Sequence, residues 1–141
     1  MPEWLDIVFR FGAATLIGAL MGVYLELRGK PAGLRMLGLV ALASAVVVLA
    51  VAQDSEADVS RVIQGVITGV GFLGAGVILH LGRDVGAVHG LSTAATIWFT
   101  ASLGVLCGLA AWRLLAVALV FTAILLIASR AIEKWAGLPD R

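Results

Sequence analysis

Charge is scarce in this chain. Asp, Glu, Lys and Arg make up 13% of its 141 residues and leave a net charge of +1. Soluble globular domains carry about a quarter charged residues, so a soluble domain is excluded as the main body of the chain. The small net charge also argues against nucleic acid as a partner. Cysteine is nearly absent: Cys107 stands alone within an apolar run. That excludes a disulfide scaffold and a cysteine-rich metal site, and leaves a buried, inert thiol. The two histidines, His80 and His89, lie nine residues apart with no third ligand to complete a metal site. Ser44, Ser92, Ser102 and Ser129 have no neighbouring His/Asp arrangement, so the chain is not expected to be an enzyme and no cofactor is expected. The leading residues include Glu3 and Asp6, where a cleaved signal peptide would carry Lys or Arg. There is no internal repeat and no low-complexity tail.

Apolar length is what the chain has instead. Hydrophobic residues make up 61% of it and the mean hydropathy is +1.05. No charged residue lies between Arg61 and Arg83. About 20 apolar residues cross a bilayer as a helix, at 1.5 Å rise each. This run is also dense in glycine, which costs a helix in water about 1 kcal/mol per residue against alanine. In lipid the same residues let helix backbones approach closely. Five apolar segments are predicted: Ile7 to Leu25, Met36 to Ala52, Val62 to Leu81, Leu91 to Gly108, and Leu114 to Ser129. Trp112 and Arg113 divide the last two, and both suit a membrane interface. The expectation is an all-α polytopic membrane protein, a single domain over residues 1–141 with a bundle of about five transmembrane helices.

Several constellations invite a functional reading. Gly69-Val70-Gly71-Phe72-Leu73-Gly74 fits the dinucleotide pattern G-x-G-x-x-G, but lies in a charge-free span and not between a strand and a helix. Close helix packing is the better reading, with Gly69, Gly71, Gly74 and Gly76 expected to face other helices. Gly18 and Gly22 in the first helix, and Gly104 and Gly108 in the fourth, have G-x-x-x-G spacing. The first, third and fourth helices are therefore predicted to form a close-packed unit, with the fifth facing lipid. Arg61, Gln64 and Thr68 share one helix face, as do Thr93, Thr96 and Thr100. These faces either line a hydrated path or hydrogen-bond to other helices. Glu26, Arg28, Lys30 and Arg35 cluster around Pro31 and Gly33, where Glu26 is placed to pair with Arg28 or Arg35. They are either a functional group or interfacial anchors. Asp54, Glu56 and Asp58 offer oxygen ligands suited to Mg²⁺ or Ca²⁺, or simply form a solvated turn.

The basic residues set orientation. Seven of them, Arg28, Lys30, Arg35, Arg83, Arg130, Lys134 and Arg141, fall on one side of five alternating spans; Arg10, Arg61 and Arg113 fall on the other. The positive-inside rule places the N-terminus outside and the C-terminus in the cytoplasm. Several glycine faces on short helices suggest self-association, with a two-fold dimer the usual closure.

Four blocks together resemble the MgtC/SapB family. They are Gly18-Ala19-Leu20-Met21-Gly22, Ala32-Gly33-Leu34-Arg35, Gly69-Val70-Gly71-Phe72-Leu73-Gly74-Ala75-Gly76-Val77-Ile78, and Gly90-Leu91-Ser92-Thr93-Ala94-Ala95-Thr96-Ile97-Trp98. Their order and spacing match from about Leu16 to Gly108. The resemblance implies a bacterial inner-membrane protein linked to magnesium limitation and, in some members, to survival inside hosts. It adds Trp98 to the candidate residues. Many members carry a Glu-Arg pair where this chain has Tyr24 and Leu25, so that only Glu26 retains a carboxylate there. His89 stands where members often have Arg, and the loop before it is lengthened. The soluble domain that follows the fifth helix in the type member is expected to be absent, since the sequence ends at Arg141. Two functions follow. One is magnesium or related ion homeostasis by transport, with Glu26, Gln64, Thr68, Thr93 and Thr96 lining a path and Mg²⁺ as the transported or sensed ion. The other is a non-transporting regulator that docks onto a larger membrane complex through its small-residue faces. Scarce intramembrane carboxylates favour the second.

Overall fold

The computed structural model describes residues 3–52, 56–81 and 90–135. They form five α-helices: α1 (Glu3–Leu27), α2 (Leu34–Val51), α3 (Glu56–Leu81), α4 (Leu91–Gly108) and α5 (Trp112–Trp135). Among the described residues there is no strand. All five helices are long and apolar enough to cross a membrane. They fall into two units, Met1–Ala110 and Ala111–Arg141.

Helix ends reach beyond the apolar runs where polar residues favour them. Glu3 and Asp6 lie at the start of α1, and carboxylates there complement the positive end of the helix dipole. Helix α3 begins at Glu56. Glu56 and Asp58 therefore belong to a helix, not to the expected acidic loop. Asp54 lies outside the described residues, as do Arg83 and His89. The α1–α2 turn is closed by Gly29 in the left-handed region (φ +64°), which lets the Lys30 N–H reach the Leu25 carbonyl at 3.0 Å.

Within the first unit, α1 packs on α2, α2 and α1 on α4, and α3 chiefly on α4. On α1 most of the buried residues are small and many large ones point outward. On α1 the buried set is Ala14, Gly18, Gly22 and Leu25, while Phe9, Leu16, Leu20 and Leu27 are exposed. Lipid tails are as apolar as leucine, so close backbone approach decides which face turns inward. The expected α1–α3–α4 unit is thus corrected to α1–α2–α4. The reason is α2, whose small inward residues Gly38, Ala41 and Ala45 are buried and lie along the α1 and α4 crossings. Alanine serves there as glycine does elsewhere. Leu25, Ala32, Leu37, Val70, Ile97 and Ala101 form a buried cluster, which draws in the α1–α2 turn through Ala32. Half-buried Val66 and Val77 of α3 pack against it. On α5, Leu114, Val117, Phe121 and Leu125 are exposed.

Candidate functional site

The helix crossings fix the geometry of everything else. A Cβ at Gly18 would strike the Leu37 carbonyl oxygen, and one at Gly22 would lie 2.5 Å from Leu34 Cα. A Cβ at Gly104 would strike the Ala41 carbonyl oxygen, and one at Gly108 would lie 2.7 Å from that of Ala45. Paired ascending numbers make α2 and α4 parallel; descending ones make α1 antiparallel to α2. Gly74 faces α4, where an added Cβ would lie 3.3 Å from Ala94 Cβ. Gly69, Gly71 and Gly76 do not follow. A Cβ on any of them meets nothing within 4 Å, so among the described residues of the first unit they face no other helix. The reason is helical phase. Val70 and Gly74 turn toward the bundle, which turns Gly65, Gly69 and Gly76 away from it.

That outward face of α3 is also polar. Gln64 and Thr68 are exposed on it, and Phe72 is 81% exposed beside them. The Thr68 hydroxyl donates to the Gln64 carbonyl at 2.8 Å. Arg61 sits at the N-terminal end of the face, 3.5 Å from Asp58 one turn before it. On α4, Thr96 donates to the Ser92 carbonyl at 2.9 Å and Thr100 to that of Thr96 at 2.8 Å. Such back-bonding satisfies a hydroxyl inside lipid without a neighbouring helix. Thr93 is fully buried, and its hydroxyl has no partner among the described atoms. Trp98 turns outward and is 45% exposed. The sequence-predicted polar residues therefore occupy two separate faces, outward on α3 and largely self-bonded on α4.

The charged turn is built tightly. The Glu26 carboxylate rests on the N-terminus of α2, where the Leu34 N–H donates to Oε2 at a long 3.4 Å. A Cβ on Gly33 would lie 3.3 Å from the same oxygen, so glycine leaves the carboxylate its space. The helix dipole holds a carboxylate there. The Arg28 guanidinium lies over the Tyr24 ring, 5.2 Å from its centroid. Arg35 is exposed at the start of α2. Glu26 thus goes to a helix end and Arg28 to an aromatic face, where the sequence suggested that they pair with each other.

One residue escaped the sequence reading. Arg10 counts in the sequence only as one of the three minority-side cations, yet within α1 it is a packing residue. Its Nη2 pairs with Asp6, and its Nη1 donates to the Gly108 carbonyl at 2.9 Å, tying the start of α1 to the end of α4. The available signal was an Asp and an Arg at i, i+4 in an otherwise apolar helix. Among residues whose side chains are described, no group of three or more metal-ligating residues converges.

Five helices of spanning length, three of them crossing with glycines set against a neighbouring backbone, define a polytopic α-helical membrane protein. The profile of the MgtC family matches residues 11–135, and the chain belongs to that family. Protein SrpB of Synechococcus elongatus is 40% identical over 151 residues, covering 96% of this chain and 81% of that protein. Protein MgtC of Salmonella typhimurium is 45% identical over 101 residues, covering 72% of this chain. The aligned region spans only 42% of that MgtC. An uncharacterized protein of Haemophilus influenzae is 36% identical over 117 residues, which is 48% of its length. No solved structure matches the chain.

Proposed function

We propose that the protein serves bacterial magnesium homeostasis as a non-enzymatic docking subunit of the inner membrane, and not as an ion conduit. Magnesium and the inner membrane come from the family resemblance. The docking role rests on one observation: α3 presents Gln64, Gly65, Thr68, Gly69 and Gly76 away from its own bundle. Glycines on a helix are costly unless a backbone comes close to them, and an amide facing lipid needs a hydrogen-bond partner. The occupant with matching chemistry is a transmembrane helix of another membrane protein, with small residues at the crossing and a polar group opposite Gln64. A Mg²⁺ path would need oxygen ligands to offset dehydration. Here the carboxylate nearest the membrane mouth, Glu26, is engaged by α2, and the Thr96 and Thr100 hydroxyls bond their own helix.

The test separates docking from folding. Gly69→Leu should leave membrane levels and detergent melting unchanged, yet fail to restore growth of a deletion strain at low Mg²⁺. Purified wild-type protein in liposomes should pass no Mg²⁺. Full complementation by Gly69→Leu, or flux in liposomes, would overturn the reading. Disulfide cross-linking of Gly69→Cys between copies in native membranes would make the occupant a second copy instead.

A further inference from the structure

The geometry points to a seat for the phosphate of an anionic phospholipid at the α1–α2 turn. Arg28, Lys30 and Arg35 place three cations within eight residues, against the single carboxylate of Glu26. That carboxylate faces the Leu34 N–H and Gly33, so it complements a helix end, and within residues 26–35 basic residues outnumber acidic ones three to one. The turn is also rigid. Arg28, Gly29 and Lys30 donate backbone hydrogen bonds to Leu25 and Glu26 carbonyls at 3.0 Å, and Ala32 is fully buried in the bundle. Preorganised cations lose less freedom when they take up a ligand.

The surroundings select a lipid. Leu27 is 83% exposed and Leu34 45% exposed, and these apolar side chains flank the cations. Acyl chains cover such leucines, while the headgroup phosphate meets the basic side chains at the same depth. The Tyr24 ring beneath the Arg28 guanidinium suits the headgroup layer, where amphipathic rings settle. A guanidinium also offers a phosphate a planar pair of donors. A soluble phosphate would use the cations but gain nothing from the leucines.

Native mass spectrometry of the purified full chain tests this. The probes are phosphatidylglycerol, phosphatidylcholine with the same acyl chains, and glycerol phosphate at equal concentration. Wild type should retain phosphatidylglycerol in preference to phosphatidylcholine and should not retain glycerol phosphate. Each cation near an anionic headgroup contributes about a fivefold preference. Arg28→Gln/Lys30→Gln/Arg35→Gln should abolish the preference, and Arg113→Gln should keep it. If the triple variant does not fold, Lys30→Gln and Arg35→Gln singly should each lower the preference by about fivefold. An unchanged preference in these variants, an equal loss in Arg113→Gln, or equal retention of glycerol phosphate would overturn the assignment.

Discussion

Two glycines of similar appearance in the sequence do opposite things in the fold. Gly104 leaves no room for a Cβ beside the Ala41 backbone, whereas Gly69 opens onto space. Gly104→Ala should therefore lower stability by about 1–3 kcal/mol, as overpacking against backbone does, and reduce the melting temperature in detergent. Gly69→Ala should melt with wild type. Equal melting of the two variants would refute this assignment of the crossings. A similar contrast separates two arginines. The Arg10 side chain is 20% exposed and holds both Asp6 and the Gly108 carbonyl. Arg61 is 80% exposed, and its ion pair with Asp58 is 3.5 Å long. A hydrogen bond from a charged group contributes about 1.5–3 kcal/mol, and an exposed ion pair about 0–1. Arg10→Met should lower the melting temperature markedly and Arg61→Met hardly at all. The reverse order in a detergent melt would show that Arg10 does not tie α1 to α4.

Helix α2 carries the fold, and the sequence reading overlooked it. Its inward residues Leu37, Ala41, Ala45 and Val48 are fully buried, with Ala41 against Gly104 and Ala45 against Gly108. Ala45→Leu should displace α4 and disrupt the bundle, while Leu39→Ala, on an exposed residue, should be mild. Limited proteolysis in detergent would distinguish them; equal resistance would mean that α2 is not the central element. Five helices, their order and their membrane character were legible because length and hydropathy are properties of each segment alone. Gly18, Gly22, Gly104 and Gly108 were legible because repeated glycines in lipid imply close crossings. What failed was pairwise. Which face of α3 meets α4 depends on helical phase relative to a neighbour, and Val70 with Gly74 won that face over Gly69 and Gly76. The partner of Glu26 was hidden for a similar reason. Charges near one another in sequence suggested ion pairs, but the turn at Gly29 and Pro31 brings the carboxylate to a helix end, which competes with Arg28 and Arg35.

At the scale of the whole molecule, the expected orientation follows from where basic residues are concentrated. The turn after α1 holds Arg28, Lys30 and Arg35 with one carboxylate, and Arg130, Lys134 and Arg141 follow the apolar part of α5. On the opposite side, Arg10 is paired with Asp6 and Arg61 with Asp58. The seven-to-three asymmetry of basic residues in the sequence sets the expected orientation. Positive residues resist translocation, so the α1–α2 turn and the C-terminus should lie in the cytoplasm. Three helices, α3, α4 and α5, separate Gln53 from Arg141. An odd number of crossings must put these positions on opposite sides. A periplasm-active reporter fused after Gln53 should be active, and the same reporter after Arg141 silent; a cytoplasm-active reporter should give the inverse pattern. The Arg141 fusion is the more telling of the two, since α5 forms a unit by itself and its spanning role rests on length and composition. Activity of the periplasmic reporter at both positions would show that α5 does not cross, leaving a four-helix protein with its C-terminal helix on the outer surface.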